Sequence, residues 1–181
     1  MYFITMMTES IHIALANEGQ ADLVAEMARK TFIETYGETS NLENLQLHVE
    51  AHFTVEQICA ELSDPDFRFY LAWINGKPVG FTKIRKDRQP KGIQGLKSME
   101  IERIYVLQEF QGFSVGKELM KMVKDLARAE GDQVLWLQVW QKNDKAIQFY
   151  RKAGFVVYET ATFEFGNEIH QDFLLRFDLY N

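Results

Sequence analysis

Apolar and polar residues alternate along the chain with two different periods, and the changes of period mark the predicted elements. A short apolar run predicts a strand at Ile11–Leu15, followed by polar capping residues and a helix that ends near Tyr36. A polar stretch then leads into a second helical segment. Thr54 and Gln57 stand in the positions of a capping box, which predicts a third helix ending near Leu62. The N-terminal third is therefore expected to be mostly helical.

The rest of the chain alternates with the period of strands, interrupted by two amphipathic helices. Asn75-Gly76 is a hairpin signal between two of these strands, and Gly154 is a typical residue at the end of a helix. The predicted strands span 67–74, 79–84, 98–107, 134–140, 155–165 and 173–179, and the predicted helices 115–130 and 144–153. The order predicts a mixed α/β fold in which a strand-helix-strand unit crosses over with the right-handed connection.

Composition narrows the possible classes of protein. The chain has 181 residues, of which 46% are hydrophobic, and this suits one domain with a substantial core. We predict a single domain over 1–181, with residues 1–9 as a ragged start. A net charge of -6 argues against binding to nucleic-acid phosphates and suits a cationic substrate. No uncharged apolar run approaches the length of a membrane-spanning helix, so no membrane partner is expected.

The cysteine and histidine residues give little chemistry. Cys59 is the only cysteine, so no internal disulfide can form and we expect a reducing, cytoplasmic setting. It shares a helical face with Val55 and Leu62, which predicts a buried packing residue rather than a nucleophile. His48 and His52 stand one helical turn apart, but no third ligand is evident, so no metal site is predicted.

The segment 111–117, between a predicted strand and a long helix, has the composition of an anion site. Gly112, Ser114 and Gly116 are small enough to let a ligand approach the backbone, and the helix start offers free N–H groups. Lys117 adds a positive charge. These features predict a pyrophosphate site, although a tight turn shaped by two glycines explains the spacing equally well.

Two other phosphate motifs do not fit the same segment. A P-loop has four residues between its glycines and a Ser or Thr after its lysine; here three residues separate Gly112 from Gly116, and Glu118 follows Lys117. A dinucleotide fingerprint needs an acidic residue near the end of the next strand, where this chain has Gln141.

The pattern Gln111-x-x-Ser114-x-Gly116 resembles the Gln/Arg-x-x-Gly-x-Gly/Ala pyrophosphate loop of GNAT acetyltransferases. The resemblance extends to the strand 100–106 and to the block 143–155. Ser114 is a departure, because the family usually has glycine there. Since a serine keeps its backbone amide, we expect phosphate binding to persist.

The resemblance implies the GNAT fold: a single mixed, mostly antiparallel, twisted sheet flanked by helices, with a central β-α-β cofactor-binding unit. It implies acetyl-CoA as the acyl donor. The residues implied in cofactor binding are Ile104, Tyr105, Val106, Gln111, Gly112, Phe113, Ser114, Val115, Gly116, Lys117, Asn143, Ala146 and Tyr150. Tyr150 is implied as the acid that protonates the departing thiolate; simple packing with Ala146 and Ala153 is the alternative.

Glu100 and Glu102 are the candidates for the base that removes a proton from the acceptor. Alternation along a strand places both on one face, and Glu100 matches the strand position from which some family members supply this base. Glu102 is the reserve. An ordinary salt-bridged face, with Arg103 nearby, is the alternative.

A finer resemblance concerns the acceptor. The segments 32–36 and 43–48, with 100–112, are similar to bacterial PaiA-type spermidine/spermine acetyltransferases. This implies acetyl transfer to a polyamine amine, with Glu34 and Tyr36 supplying negative charge and an aromatic surface. A protein N-terminus or lysine as acceptor, and an acyl-CoA-binding module without catalysis, stay open as alternatives. A homodimer is a further expectation.

Overall fold

The computed structural model describes residues 10–180, so the predicted ragged start lies outside the described residues. Its strands are β1 (Ile11–Leu15), β2 (Phe67–Ile74), β3 (Lys77–Arg85), β4 (Ser98–Val106), β5 (Val134–Trp140), β6 (Val156–Phe165) and β7 (Glu168–Asp178). Its helices are α1 (Ala21–Tyr36), α2 (Leu42–His52), α3 (Val55–Ser63), α4 (Val115–Ala129) and α5 (Asp144–Lys152).

The seven strands form one sheet in the order β1-β2-β3-β4-β5-β7-β6. Only the β4–β5 pair is parallel, and α4 connects its two strands. The predicted mixed, mostly antiparallel fold with a central β-α-β unit is confirmed. The last strand begins earlier than predicted, because the turn at Gly166 is tight enough to pair Phe165 with Glu168.

The helices cover both faces of the sheet. One apolar cluster packs α1 and α3 against residues such as Phe69 and Phe81, and a second packs α4 and α5 against residues such as Ile101 and Leu137. The prediction that Cys59 is buried is wrong: Cys59 is exposed. Ile58, its neighbour on α3, takes the core position instead.

Side-chain caps fix the helix starts near the cleft. Half of the predicted capping box at Thr54 forms: the Thr54 hydroxyl accepts from the Gln57 amide at 3.1 Å, whereas the Gln57 side chain donates to Glu61. At the start of α5 the Asn143 Oδ1 atom accepts from the Ala146 amide at 3.1 Å. Such caps satisfy N–H groups that have no partner inside the helix, and they set the direction in which each helix leaves the sheet.

The parallel strands separate partway along their length. Pairing of β4 with β5 runs only from Ser98 to Glu100, opposite Val134 to Trp136, although both strands continue. Beyond this point the two strands diverge and leave a gap in the sheet. A bulge at Glu102 lies at the start of the gap, because Ile101 and Arg103 pair with adjacent residues of β3.

Candidate active site

A cavity of about 740 Å³ opens where β4 and β5 separate. Its walls come from strands β3 to β7 and from helices α1 to α5, so it passes through the sheet and reaches both faces. The sequence-predicted residues that line it are Tyr36, Glu100, Glu102, Ile104, Tyr105, Val106, Gln111, Gly112, Ser114, Val115, Gly116, Lys117, Asn143, Ala146 and Tyr150. Two predicted residues, Glu34 and Phe113, are not among the lining residues.

The turn before α4 presents a row of unpaired amides. Within residues 10–180, no protein acceptor bonds to the backbone N–H groups of Gly112, Ser114, Val115, Gly116 and Lys117. Unpaired N–H groups at the start of a 15-residue helix attract an anion, both by direct hydrogen bonding and through the helix dipole. The turn therefore fits a pyrophosphate.

The backbone of this turn is left-handed at two positions. Gly112 has φ 96° and Ser114 has φ 66°, a region that non-glycine residues rarely adopt. The family's usual glycine at the Ser114 position is thus explained by the backbone conformation. Phe113, between them, is 55% exposed and is not among the residues that line the cavity.

Behind the turn, Gly116 faces two side chains at distances that would still admit a Cβ atom. A Cβ atom at Gly116 would lie 3.5 Å from the Phe149 ring and 3.8 Å from the Val106 side chain. Gln111 ties the turn to its surroundings, because its Nε2 donates to the Val106 carbonyl at 3.2 Å and its Oε1 accepts from Lys145. Lys145 brings a second cation to the turn, one that the sequence reasoning missed.

Three phenols lie around the gap between the strands. The side chain of Tyr36 on α1 has polar contacts with Tyr105 and Asn143, while burial raises its pKa. Tyr150 on α5 is buried, and burial also raises the pKa of its phenol. A phenol with a raised pKa keeps its proton at neutral pH, so Tyr150 can act as a proton donor but not as a base.

The two predicted glutamates meet the cavity on the same face, but in different electrostatic states. Glu100 is buried, which raises its pKa to about 7, while Arg88 at 3.2 Å opposes the rise. For Glu102, burial is outweighed by Arg103 and Lys83, so its pKa is lowered. Glu100 can therefore exchange a proton near neutral pH, whereas Glu102 stays an ion-paired carboxylate.

Of the two residues predicted to bind the acceptor, Glu34 and Tyr36, only one lies in the cavity lining. Tyr36 lines the cavity, but the Glu34 carboxylate accepts from the Gln108 amide at 2.9 Å and holds the turn after β4. Glu34 is thus placed as a structural contact of that turn rather than as a cavity residue.

Six charged lining residues were not predicted as site residues: Glu61, Arg85, Arg88, Arg103, Lys145 and Asp172. Arg103 and Lys145 had a local signal, because they lie inside the recognised segments 100–106 and 143–155. The others come from a helix, a strand, a loop and the last hairpin, and only the fold brings them to the cavity.

The histidines of α2 belong to an aromatic wall. The His48 ring stacks on Phe32 with centroids 4.6 Å apart and lies 4.4 Å from the His52 ring. Burial, with the charges of His52 and Arg103, lowers the pKa of His48 to about 3.

Within residues 10–180 there is no cluster of three metal-binding side chains. In the same range no helix has the length and apolarity to span a bilayer.

Known proteins share this sequence pattern and fold. The model of the acetyltransferase (GNAT) family matches residues 24–155, and the chain therefore belongs to this family of acyltransferases, which use acetyl-CoA. An uncharacterised N-acetyltransferase of Lactobacillus delbrueckii subsp. lactis is 29% identical over 150 residues, covering 83% of this chain and 87% of that protein.

Two relatives from Thermoplasma acidophilum are also similar. A spermidine N(1)-acetyltransferase is 24% identical over 155 residues, covering 83% of this chain and 91% of that protein. The crystal structure of a PaiA N-acetyltransferase in complex with coenzyme A superimposes with a TM-score of 0.77 at 21% identity, covering 93% of this chain and 99% of that chain. The predicted resemblance is confirmed at the level of the family and fold.

Proposed function

We propose that this protein transfers the acetyl group of acetyl-CoA to a primary amine, with a polyamine as acceptor, by direct transfer in a ternary complex. The observation that carries the proposal is a single cavity with three parts: a turn of unpaired amides, a buried phenol and a cluster of carboxylates. The first suits the diphosphate, the second a departing sulfur, and the third a cationic acceptor.

The residues from Gln111 to Lys117 would hold the diphosphate, with Lys145 as an added cation. Ile104 and Val106 stand on the part of β4 that has left β5, where the backbone of a strand is open to a new partner. This position suits hydrogen bonding to the amide groups of the pantetheine arm. Asn143 and Ala146, at the start of α5, would flank the same arm.

When bound, acetyl-CoA supplies a thioester whose carbonyl carbon forms the new bond to the amine nitrogen. Glu100 accepts the proton that this nitrogen loses, directly or through water, because its pKa of about 7 suits proton exchange. A backbone N–H near Val106 stabilises the charge on the carbonyl oxygen. Tyr150 donates its proton to the sulfur as the carbon–sulfur bond breaks, and regains one from solvent.

The choice of a polyamine rests on charge and on the relatives. The chain carries -6, and four carboxylates line the cavity. The Thermoplasma acidophilum relative named for spermidine aligns with 83% of this chain at 24% identity. The aromatic rings that line the cavity provide further surfaces that attract ammonium groups.

Mass spectrometry of reaction products tests the proposal. Purified protein is incubated with acetyl-CoA and a panel of spermidine, spermine, simple monoamines and lysine-containing peptides. We expect acetylated spermidine or spermine as the main product. If peptide acetylation exceeds polyamine acetylation, the acceptor is an amine of a protein. Coenzyme A binding without any product would identify a binding module.

A further inference from the structure

The carboxylates that line the cavity differ in their partners. Glu61 lies 2.8 Å from Lys83, Glu102 lies 2.9 Å from the same ammonium, and Glu100 lies 3.2 Å from Arg88. Asp172 is different: within residues 10–180 it has no salt bridge to a lysine or arginine. It is therefore the one cavity carboxylate in this range that forms no ion pair with a lysine or arginine.

Asp172 is buried and only half satisfied. The residue lies on β7 opposite Trp140 of β5, and it is 5% exposed. Its Oδ2 atom accepts from the Gln138 side chain at 3.0 Å, while its Oδ1 atom is buried with no hydrogen-bond partner among the described residues. A buried carboxylate oxygen without a donor is costly, so a site of this kind is completed by a ligand that donates hydrogen bonds.

Aromatic rings surround the same corner of the cavity. The Trp140 ring lies 6.4 Å from the Tyr36 ring on α1 and stacks on His170 at 4.8 Å. His170 in turn stacks on Phe165 at 5.1 Å. Ring faces attract ammonium groups, tryptophan most strongly. Lys142 lies 5.8 Å from the Trp140 ring centre, but it is exposed, is not among the lining residues and forms no ion pair with Asp172.

We propose that Asp172, with Trp140 and Tyr36 as aromatic walls, binds an ammonium group of the acceptor other than the nitrogen that is acetylated. This inference rests on the proposed amine acetyltransferase function and deepens it. It assigns the acceptor to the class of amines that carry at least two cationic nitrogens.

The position of Asp172 supports a nitrogen that does not react. An ammonium paired with a buried carboxylate keeps its proton, whereas the attacking nitrogen has to lose one. Glu100 and Asp172 also lie far apart along the sheet, because Glu100 pairs with Trp136 and Asp172 with Trp140 of the same strand. Four residues of strand correspond to roughly 13 Å. An acceptor that reaches both carboxylates needs its nitrogens several carbons apart.

Two matched ligands test whether the second ammonium group contributes to binding. Calorimetric titration of the coenzyme A complex compares octane-1,8-diamine with 8-amino-1-octanol, which has the same chain with one ammonium replaced by a hydroxyl group. We expect the wild type to bind the diamine roughly tenfold or more tightly than the amino alcohol. Asp172→Asn keeps an acceptor for Gln138 but removes the charge, so we expect this preference to disappear.

Two further variants make the test specific. Glu164→Gln removes one exposed carboxylate from β6, outside the cavity lining, and should keep the wild-type preference. Trp140→Leu removes the aromatic wall and should reduce the preference, which keeps the test available even if Asp172→Asn folds poorly. The proposal is overturned if the wild type shows no preference, or if the preference persists in Asp172→Asn or in Trp140→Leu.

Product analysis with the same two ligands distinguishes this inference from the function on which it rests. If the wild type acetylates both ligands but binds them equally well, the subsite is wrong and the acetyltransferase activity stands. If it acetylates neither but shows the charge-dependent binding that Asp172→Asn abolishes, the subsite stands and the proposed function fails.

Discussion

Arg88 Nη1 lies 3.2 Å from Glu100 Oε1 and joins an exposed loop to a buried carboxylate of the cavity lining. The Glu100 side chain is 3% exposed, whereas the Arg88 side chain is 45% exposed. Burial favours the protonated form of Glu100 and the arginine favours the ionised form, so the two effects act in opposite directions. The charge of Arg88 therefore adjusts the pKa of the proposed proton acceptor.

This pair predicts the pH dependence of turnover. Glu100 accepts a proton only when ionised, so kcat/KM should rise with pH through about 7, the pKa of Glu100. Arg88→Gln removes a charge that lowers this pKa, and the rise should move to higher pH. The measurement is a pH profile of kcat/KM for both proteins with a polyamine acceptor.

Glu100→Gln is the control for that profile. It removes the ionisable group, so the rise near pH 7 should vanish and the rate should fall by roughly 100-fold or more. A Glu100→Gln profile with the wild-type rise would assign the ionisation to another group. An Arg88→Gln profile that does not move would show that the ion pair has no influence on the base.

The backbone conformation of Ser114 predicts that glycine at this position will stabilise the folded protein. Its φ of 66° is a left-handed conformation, which costs a side-chain-bearing residue more than it costs glycine. Ser114→Gly should therefore raise the free energy of unfolding by roughly 0.5–1 kcal/mol, after the larger chain entropy of unfolded glycine is subtracted. Denaturant unfolding measures the change, and coenzyme A affinity should be retained because the amide is kept.

Ser114→Ala is the matched comparison for that substitution. Alanine keeps the Cβ atom and hence the strain, so it should bring no gain. If Ser114→Gly were no more stable than Ser114→Ala, the backbone conformation at this position would not be a source of strain.

The faces of β4 show a limit of pattern reading. Strict alternation would place Glu100, Glu102 and Ile104 on one face, and both glutamates do line the cavity. The bulge at Glu102 then shifts the alternation, so Tyr105 joins the α1 side while Ile104 packs towards α4 with Val115. A bulge depends on the pairing with the neighbouring strand, which a single strand sequence does not reveal.

The proposed cofactor-binding turn could be predicted from the sequence because its residues lie close together in the chain. Gln111, Ser114 and Gly116 occur within six positions, and their backbone requirements leave a local pattern. Asp172 had no such pattern, since it reaches the cavity only because β7 inserts between β5 and β6. Long-range strand order, rather than local spacing, decides which distant carboxylate meets the gap. The contact of Glu34 also left no local pattern, because the Gln108 amide from which it accepts lies 74 positions away.

His48 predicts a loss of stability in mild acid. Its pKa is lowered to about 3 in the folded protein, below the unfolded value of 6.5, because of burial and then of nearby positive charges. The unfolded chain therefore takes up a proton that the folded chain refuses, so the stabilisation present above pH 6.5 is lost as pH falls towards 3. Each unit of lowering corresponds to roughly 1.4 kcal/mol.

His48→Phe keeps an aromatic ring next to Phe32 and removes the ionisation, so its unfolding free energy should fall less between pH 6.5 and 4 than that of the wild type. Denaturant unfolding at a series of pH values measures the slope. His12→Gln removes an exposed histidine from β1 and serves as the control, with the wild-type slope expected. Equal slopes for all three proteins would mean that His48 is protonated without cost in the fold.

Tyr150 gives the most direct test of the chemistry. Its buried phenol lines the cavity, and its raised pKa keeps the proton available for the departing sulfur. Tyr150→Phe removes only the hydroxyl, so kcat should fall by roughly 100-fold or more while coenzyme A affinity, measured by calorimetry, stays within about twofold. Tyr180→Phe removes a surface phenol that donates to the Arg128 carbonyl, and its kcat should match the wild type. An unchanged kcat in Tyr150→Phe would exclude this phenol as the proton donor, and a loss of coenzyme A affinity would assign it to binding instead.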